Sequence, residues 1–112
     1  MTRDKFGNDL SNAELERLAI LSEECSEVIK VINKTIRRGY SSSNPEITNS
    51  PTNREDLERE VGDVLWVISL MGITGDISLP MAKLDQGRQH RKERYLQHQQ
   101  KVNLDDVDPW SI

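Results

Sequence analysis

The sequence has little cysteine, few aromatic residues and no long hydrophobic run. Its one cysteine, Cys25, cannot form an intramolecular disulfide, which excludes a small domain held together by disulfides. The N-terminal residues carry no apolar segment of the kind that a secretory signal needs, so we expect a cytoplasmic protein. The longest apolar run, residues 64–73, contains Ser69 and Gly72 and is about half the length of a membrane span. No membrane partner is therefore expected.

The composition favours helices. Aromatic residues make up 4%, apolar residues 35% and charged residues 30%, which suits amphipathic helices better than aromatic-rich strands. We expect an all-α fold, an antiparallel helical bundle with three main helices. A chain of 112 residues buries a limited interior on its own. Self-association, as a homodimer or homotetramer, is therefore expected to help stabilise the fold.

The charges are unevenly distributed along the chain. The net charge is −4, yet residues 83–101 hold six basic residues and only two acidic ones. A basic stretch can contact nucleic acid, but an isoelectric point near 5.2 argues against a protein that binds long polyanions. A compact anionic ligand together with a metal ion fits this charge pattern better.

Local signals predict where the first helix begins and ends. Ser11 and Glu14 have the spacing of a capping box, in which each side chain accepts a hydrogen bond from the other residue's backbone. The helix is expected to run to about Arg38, where Gly39 supplies a left-handed stop. Residues 40–52 are rich in Ser, Asn, Thr and Pro and predict a long loop.

Two further helices are predicted after this loop. A second capping box, Thr52–Glu55, begins a helix expected to end near Met71, where Gly72 and then Gly75-Asp76 break it. The third helix is expected to span roughly residues 78–101 and to carry the basic residues. Residues 103–112 contain three aspartates and a proline, and we expect an acidic tail that is extended or disordered.

Residues 21–32 and 57–68 repeat the same pattern of apolar and acidic positions. At about 100° per residue, each segment forms one apolar stripe with two carboxylates on its edge. The stripes are Leu21, Cys25, Val28, Ile32 and Leu57, Val61, Val64, Ile68. The carboxylate pairs are Glu24 with Glu27 and Glu60 with Asp63. If the stripes pack together, the four carboxylates converge at the seam between the helices, and Cys25 is buried.

Four converging carboxylates repel one another, so they must take up protons or bind cations. Mg²⁺ prefers hard oxygen ligands, and Mn²⁺ is an alternative with similar preferences. A single pair of acids three residues apart can lie on any solvated helix face. Two copies at matched positions favour a functional site. The alternative is a duplicated helix that keeps its surface acids for solubility.

Each acidic pair belongs to a longer motif. The motifs are Glu23-Glu24-x-x-Glu27 and Glu60-x-Gly62-Asp63-Val64. With their surroundings, over residues 15–71, they resemble the MazG-like group of all-α nucleoside triphosphate pyrophosphohydrolases, which are relatives of the dimeric dUTPases. The resemblance implies that residues 1–102 form such a domain. It also implies hydrolysis of a (deoxy)nucleoside triphosphate to the monophosphate and pyrophosphate.

The resemblance also implies roles for individual residues. Mg²⁺ would be held by Glu24, Glu27, Glu60 and Asp63. Any of Glu23, Glu24 and Glu27 could orient the attacking water. The candidates for binding the triphosphate are Lys34 and, in the third helix, Lys83, Arg91 and Lys92. That helix lacks the Asn-x-x-Lys-like pattern that some members carry. The loop of residues 40–52 is longer than in compact members of the family, and it could form a base-recognition flap or an extra short helix.

A different class of function is compatible with the same residues. The chain could be a non-catalytic helical oligomerisation or regulatory module whose acidic seam binds Mg²⁺ or a basic partner. A helical bundle with acid-rich surfaces and no metal is a third reading. Trp66 lies on the opposite side of the second helix from the apolar stripe, and we expect it to pack at a subunit interface rather than stack on a base.

Overall fold

The computed structural model describes three stretches of the chain, residues 7–88, 95–103 and 106–107. These stretches contain three α-helices and no β-strand, which confirms the predicted all-α class. The helices are α1 (Asn12–Arg38), α2 (Asn53–Thr74) and α3 (Leu79–Arg88). None of the described helices is long and apolar enough to cross a membrane. The chain divides into two compact units, residues 1–76 and 77–112.

The predicted capping box begins α1. The Ser11 hydroxyl accepts a hydrogen bond from the Glu14 backbone N–H at 3.1 Å, and the Glu14 carboxylate accepts one from the Ser11 N–H at 2.8 Å. These bonds to Ser11 hold the pKa of Glu14 below its usual value. The helix ends at Arg38 as predicted. Gly39 has the expected positive φ of 87°, but its ψ of 166° lies outside the left-handed helical region.

The second capping box also forms, but α2 ends later than predicted. Thr52 and Glu55 exchange hydrogen bonds of 2.9 and 3.2 Å at its start. The helix continues through Gly72 to Thr74, and Gly75 adopts the left-handed conformation that ends it. The helix thus ends three residues beyond Met71, at the second of the two predicted breakers, because one helical glycine such as Gly72 costs only about 1 kcal/mol relative to alanine. Burial of the Met71 side chain favours continuing the helix past that point.

Ion pairs at both ends show that α1 and α2 pack antiparallel. Arg17, near the start of α1, donates to Asp76, just beyond the end of α2, with 2.8 Å between Nη2 and Oδ1. Lys34, near the end of α1, lies 3.2 Å from the Asp56 carboxylate in the first turn of α2. The Arg17 hydrogen bonds hold the pKa of Asp76 below its usual value.

The loop between these helices closes on itself. The Asn53 side-chain amide donates to the Gly39 carbonyl at 2.9 Å, and this asparagine is only 4% exposed. The Arg54 N–H donates to the Tyr40 carbonyl at 3.0 Å, while its guanidinium lies 5.0 Å from the centre of the Tyr40 ring. Residues 40–52 contain turns and no helix, so the predicted option of an extra short helix is wrong.

The seam between α1 and α2 differs from the predicted one. Its buried apolar residues are Val31, Val67 and Met71. Half-buried positions of the predicted stripes are Leu21, Val28, Leu57, Val64 and Ile68, whereas Cys25, Ile32 and Val61 are exposed. At about 100° per residue, the buried residues lie roughly 50–90° from the centres of the predicted stripes, on the side of the acidic residues.

Cys25 was therefore wrongly predicted to be buried. Both helices have apolar residues on more than one side, so periodicity alone does not select the contact face. The seam that forms contains Val31 and Val67 and is flanked by the ion pair between Lys34 and Asp56. One positively and one negatively charged side chain therefore meet beside the buried valines. They lie on the side of the helices that also carries the acidic motifs.

The second unit contains α3, which is shorter than the predicted third helix. Residues 95–101 are not in an α-helix, so that part of the prediction is wrong. Residues 97–101 are all polar, and residues 95–101 form no apolar stripe at helical spacing. A helix here would therefore bury little apolar surface. Residues 89–94 lie outside the described part of the chain. The domain boundary at residue 102 and the acidic tail stay predictions.

Candidate metal and substrate site

Three carboxylates from the two helices form an acidic cluster. Glu24 comes from α1, and Glu60 and Asp63 come from α2. One oxygen atom of each carboxylate lies within 4.8 Å of the others. Glu24 and Glu60 are half-buried in the seam, and Asp63 is exposed. The antiparallel packing of α1 and α2 thus brings together three of the four carboxylates that the sequence singled out.

The cluster concentrates negative charge. The pKa of Glu24 is raised above its usual value, chiefly by desolvation and then by the negative charges of Asp63 and Glu60. Both causes disfavour the ionised form. A bound cation would relieve this repulsion and would favour ionised carboxylates.

The remaining acidic residues of the first motif lie beside the cluster. The Glu27 carboxylate is 3.6 Å from the ammonium of Lys30, one turn further along α1. Glu23 is exposed, and its backbone carbonyl accepts a hydrogen bond from Ser26 at 2.7 Å. Its carboxylate contributes to the raised pKa of Glu24. Glu27 and Glu23 therefore border the acidic cluster without belonging to it.

A groove lined mainly by charged residues adjoins the cluster; we call it the cationic groove. It has a volume of about 480 Å³. Glu27 and Glu60 line it together with Asp56, so it shares Glu60 with the cluster. Its cations are Lys30, Lys34, Arg37 and Arg59. Groups that attract phosphate oxygens thus lie directly beside the carboxylates.

Lys34 is the predicted substrate residue that lies in this groove, while Arg37 and Arg59 were missed. A sequence signal for Arg37 exists, because Lys30, Lys34 and Arg37 follow Glu27 at spacings that repeat along one side of a helix. Arg59 gave no such signal. It directly precedes Glu60, and its guanidinium donates to that carboxylate at 3.3 Å.

The other predicted phosphate-binding residues are Lys83, Arg91 and Lys92. Lys83 is exposed and belongs to the unit of residues 77–112. Arg91 and Lys92 lie outside the described residues. Their role in binding a substrate stays a prediction.

The donor set of the acidic cluster fits a hard divalent cation. All three residues offer carboxylate oxygens, the ligands that Mg²⁺ and Mn²⁺ prefer. Mg²⁺ binds oxygen at about 2.0–2.1 Å, so ligands of one ion lie roughly 3–4 Å apart. Oxygen atoms within 4.8 Å of one another can reach that spacing through small rotations of the side chains.

A comparison with protein families identifies the segment that holds these residues. The family described as MazG nucleotide pyrophosphohydrolase domain matches residues 13–82. This segment includes nearly all of α1, the loop, the whole of α2 and every carboxylate of the acidic cluster. No curated protein and no solved structure matches the sequence. Since the matched segment is more than half of the chain, the chain belongs to the MazG nucleotide pyrophosphohydrolase domain family.

Proposed function

We propose that this protein hydrolyses a (deoxy)nucleoside triphosphate to the nucleoside monophosphate and pyrophosphate, with Mg²⁺ as cofactor. Membership of the MazG family supports the reaction class. The proposed metal and triphosphate rest on one observation: Glu60 belongs both to the acidic cluster and to the lining of the cationic groove. A metal–triphosphate complex carries a positive ion beside negative phosphates. The carboxylates of the cluster suit the ion, and the cations of the groove suit the phosphates.

Glu24, Glu60 and Asp63 would hold the ion, and Glu27 would join them from the border of the groove. When bound, Mg²⁺ neutralises charge on phosphate oxygens and lowers the pKa of a coordinated water. The cations of the groove would bind and orient the phosphates. Glu23, Glu24 and Glu27 are the candidates for accepting the proton of the attacking water, since all three lie on the same stretch of α1.

We also propose that a second copy of the chain covers an apolar face of the helix pair, giving a homodimer or homotetramer. Cys25 and Ile29 of α1 lie beside Val61 and Leu65 of α2 along an apolar groove of about 310 Å³. Ile29 is 56% exposed and Leu65 is 43% exposed, which is costly for apolar side chains. By helical spacing this face is roughly opposite to Lys30 and the cationic groove.

Sedimentation velocity tests this assembly. The wild type is expected to sediment as a dimer or tetramer, and Ile29→Glu is expected to shift it toward monomer because a charge cannot be buried unpaired. A monomeric wild type at tens of micromolar would contradict the proposal. Trp66 is 62% exposed in a single chain, and its packing at a subunit interface stays a prediction.

The proposed reaction is tested by assaying pyrophosphate release from a panel of NTPs and dNTPs, with Mg²⁺ or with EDTA. We expect Mg²⁺-dependent release from at least one member. Glu60→Gln is expected to lower kcat at least about 100-fold, since it removes a metal ligand. The matched control, Glu58→Gln, neutralises an exposed acid on the same helix and is expected to stay within about twofold.

Each outcome of this assay has a definite meaning. Turnover of no member of the panel would overturn the proposed function. Turnover that persists in Glu60→Gln or in EDTA would show that the acidic cluster is not where the reaction occurs. Calorimetric Mg²⁺ binding that depends on Glu24, without any turnover, would favour the non-catalytic binding module.

A further inference from the structure

Four side chains of alternating charge form a chain of contacts that ends at the acidic cluster. The Lys34 ammonium, on α1, lies 3.2 Å from Oδ2 of Asp56, on α2. The other oxygen of that carboxylate, Oδ1, lies 3.2 Å from Nη2 of Arg59. The same Nη2 donates to Oε1 of Glu60 at 3.3 Å. The last contact is therefore made to a carboxylate that belongs to the acidic cluster.

The contact with Arg59 is compatible with a place in the cluster. Glu60 accepts this hydrogen bond and belongs to the cluster, whereas Glu27, which is paired with Lys30, lies outside it. A carboxylate has two oxygens that accept, so Glu60 can receive Arg59 on Oε1 while Oε2 serves a metal ion. Arg59 thus restricts rotation of the Glu60 carboxylate without removing it from the cluster.

Asp56 balances the charge of this arginine. A lone guanidinium beside the cluster would repel a cation. The Asp56 carboxylate contacts the same guanidinium nitrogen that contacts Glu60, so the two charges largely cancel at the cluster. The Asp56 side chain is only 13% exposed, against 59% for Arg59, and Lys34 of the other helix contacts its second oxygen. What remains of the pair's influence on the cluster is the direction it gives to Glu60.

Hydrogen bonds from outside the ligand set orient metal-binding carboxylates, and their loss typically weakens metal binding. We propose that Arg59 and Asp56 are positioning residues of the metal site. Arg59 orients the Glu60 carboxylate toward the ion, and Asp56 holds Arg59 in place and offsets its charge. Neither residue is itself a ligand in this arrangement. The inference rests on the proposed function, which places the ion at the acidic cluster.

The substitution Arg59→Met tests the proposal by the sign of its effect. Removing a positive charge near a cation site strengthens cation binding, because a repulsion is lost. Removing a hydrogen bond that orients a ligand weakens it. We expect the Kd for Mn²⁺ to rise about tenfold in Arg59→Met. Titration of the nucleotide-free protein with Mn²⁺, followed by the electron paramagnetic resonance signal of the free ion, measures this Kd without any turnover.

Two further variants separate orientation from charge. Arg54→Met is the matched control, because it removes a cation of the same helix that lies six residues, or about 9 Å, before Glu60. The Arg54 guanidinium lies over the Tyr40 ring, and we expect its loss to leave the Kd for Mn²⁺ within about twofold. Arg59→Lys keeps a cation that can still donate to Glu60. It is therefore expected to restore part of the affinity that Arg59→Met loses.

A double-mutant cycle tests the role of Asp56. In the wild-type background, Asp56→Asn is expected to raise the Kd for Mn²⁺ about threefold, because Arg59 is then held less firmly and its charge is no longer balanced. In the Arg59→Met background the same substitution is expected to change the Kd by less than about twofold, since Asp56 acts through Arg59. Equal effects in both backgrounds would overturn the positioning role of Asp56.

The metal titration separates this inference from the proposed function. Weakening of about tenfold that is confined to Arg59→Met supports the inference even if no nucleotide is hydrolysed. An unchanged or lower Kd in Arg59→Met would overturn it even if the wild type is an active hydrolase. Equal weakening in Arg54→Met, or no saturable Mn²⁺ binding by the nucleotide-free wild type, would overturn it as well. Circular dichroism of each variant checks that the helices are retained.

Discussion

The two acidic motifs have the same spacing but different surroundings. In α2, Glu60 and Asp63 both contribute to the acidic cluster, whereas in α1 only Glu24 does. The difference lies one turn further on. Glu27 is followed after three residues by Lys30, which pairs with it at 3.6 Å, while the residue at the same place after Asp63 is uncharged. Glu60 is also paired, with the adjacent Arg59 at 3.3 Å, yet it belongs to the cluster, so identical spacing leaves the two motifs with different contacts.

The largest expected effect tests the α2 half of this comparison. Asp63→Asn removes an oxygen ligand from the cluster while keeping the size of the side chain. We expect kcat/KM for pyrophosphate release to fall at least about 100-fold, with only a small change in the thermal unfolding midpoint. A loss below tenfold would show that Asp63 is not a metal ligand.

The α1 half is expected to respond more weakly. Glu27→Gln should lower kcat/KM by about tenfold, because Glu27 borders the cluster and must leave Lys30 to join it. The same pyrophosphate assay, at saturating Mg²⁺, measures the difference between the two variants. Equal losses in Glu27→Gln and Asp63→Asn would mean that the two motifs are functionally equivalent.

Removing the ammonium group of Lys30 should make the carboxylates of the α1 motif more similar to those of the α2 motif in metal binding. Lys30→Met frees Glu27, and because an exposed ion pair is worth at most about 1 kcal/mol, Mg²⁺ should bind about two- to threefold more tightly. Isothermal titration of the nucleotide-free protein with Mg²⁺ measures this affinity. A weaker affinity would indicate that Lys30 positions Glu27 for the metal instead of withholding it.

Asp76 lies outside the acidic motifs and forms an ion pair with Arg17, so it serves as a control carboxylate with a structural role. Asp76→Asn breaks the ion pair with Arg17 at the far end of the seam, so it should lower stability while leaving kcat within about twofold. The folded-state pKa of Asp76 is lowered, chiefly by hydrogen bonds from Arg17. The ion pair therefore stabilises the fold fully above the ordinary aspartate pKa, near 3.9. This stabilisation is lost as the pH falls through the lowered folded-state pKa of Asp76.

Thermal unfolding of the wild type and Asp76→Asn from pH 7 down to pH 2 measures this dependence. The gap between the two midpoints should be constant near neutral pH and should close in acid. A gap that is unchanged at pH 2 would show that the effect of the substitution is not electrostatic.

The sequence was most informative where the determining contacts are local. Both capping boxes were predictable because each consists of two side chains three residues apart, as at Ser11 and Glu14. Of the two glycines predicted to end α2, Gly72 does not end it and Gly75 does, because burial of Met71 outweighs the small cost of Gly72. The all-α class was predictable for the same local reason, since composition and periodicity both favoured helices.

The candidate site was predictable only in part. Spacing alone put the acidic residues on one side of each helix. It did not predict which apolar face would form the seam, because α1 carries apolar residues at both Val31 and Cys25 and the choice depends on its partner. Nor could it show that no carboxylate in the described part of the chain pairs with Arg37, since that depends on which cations Asp56 engages across the seam.

A crystal structure with Mn²⁺ and a non-hydrolysable α,β-imido triphosphate tests the central claim most directly. The anomalous signal of manganese locates the ion independently of the refined coordinates. We predict a peak about 2 Å from carboxylate oxygens of Glu24, Glu60 and Asp63, with the phosphates extending along the cationic groove. Manganese bound elsewhere, or phosphates bound without contact to that groove, would contradict the account.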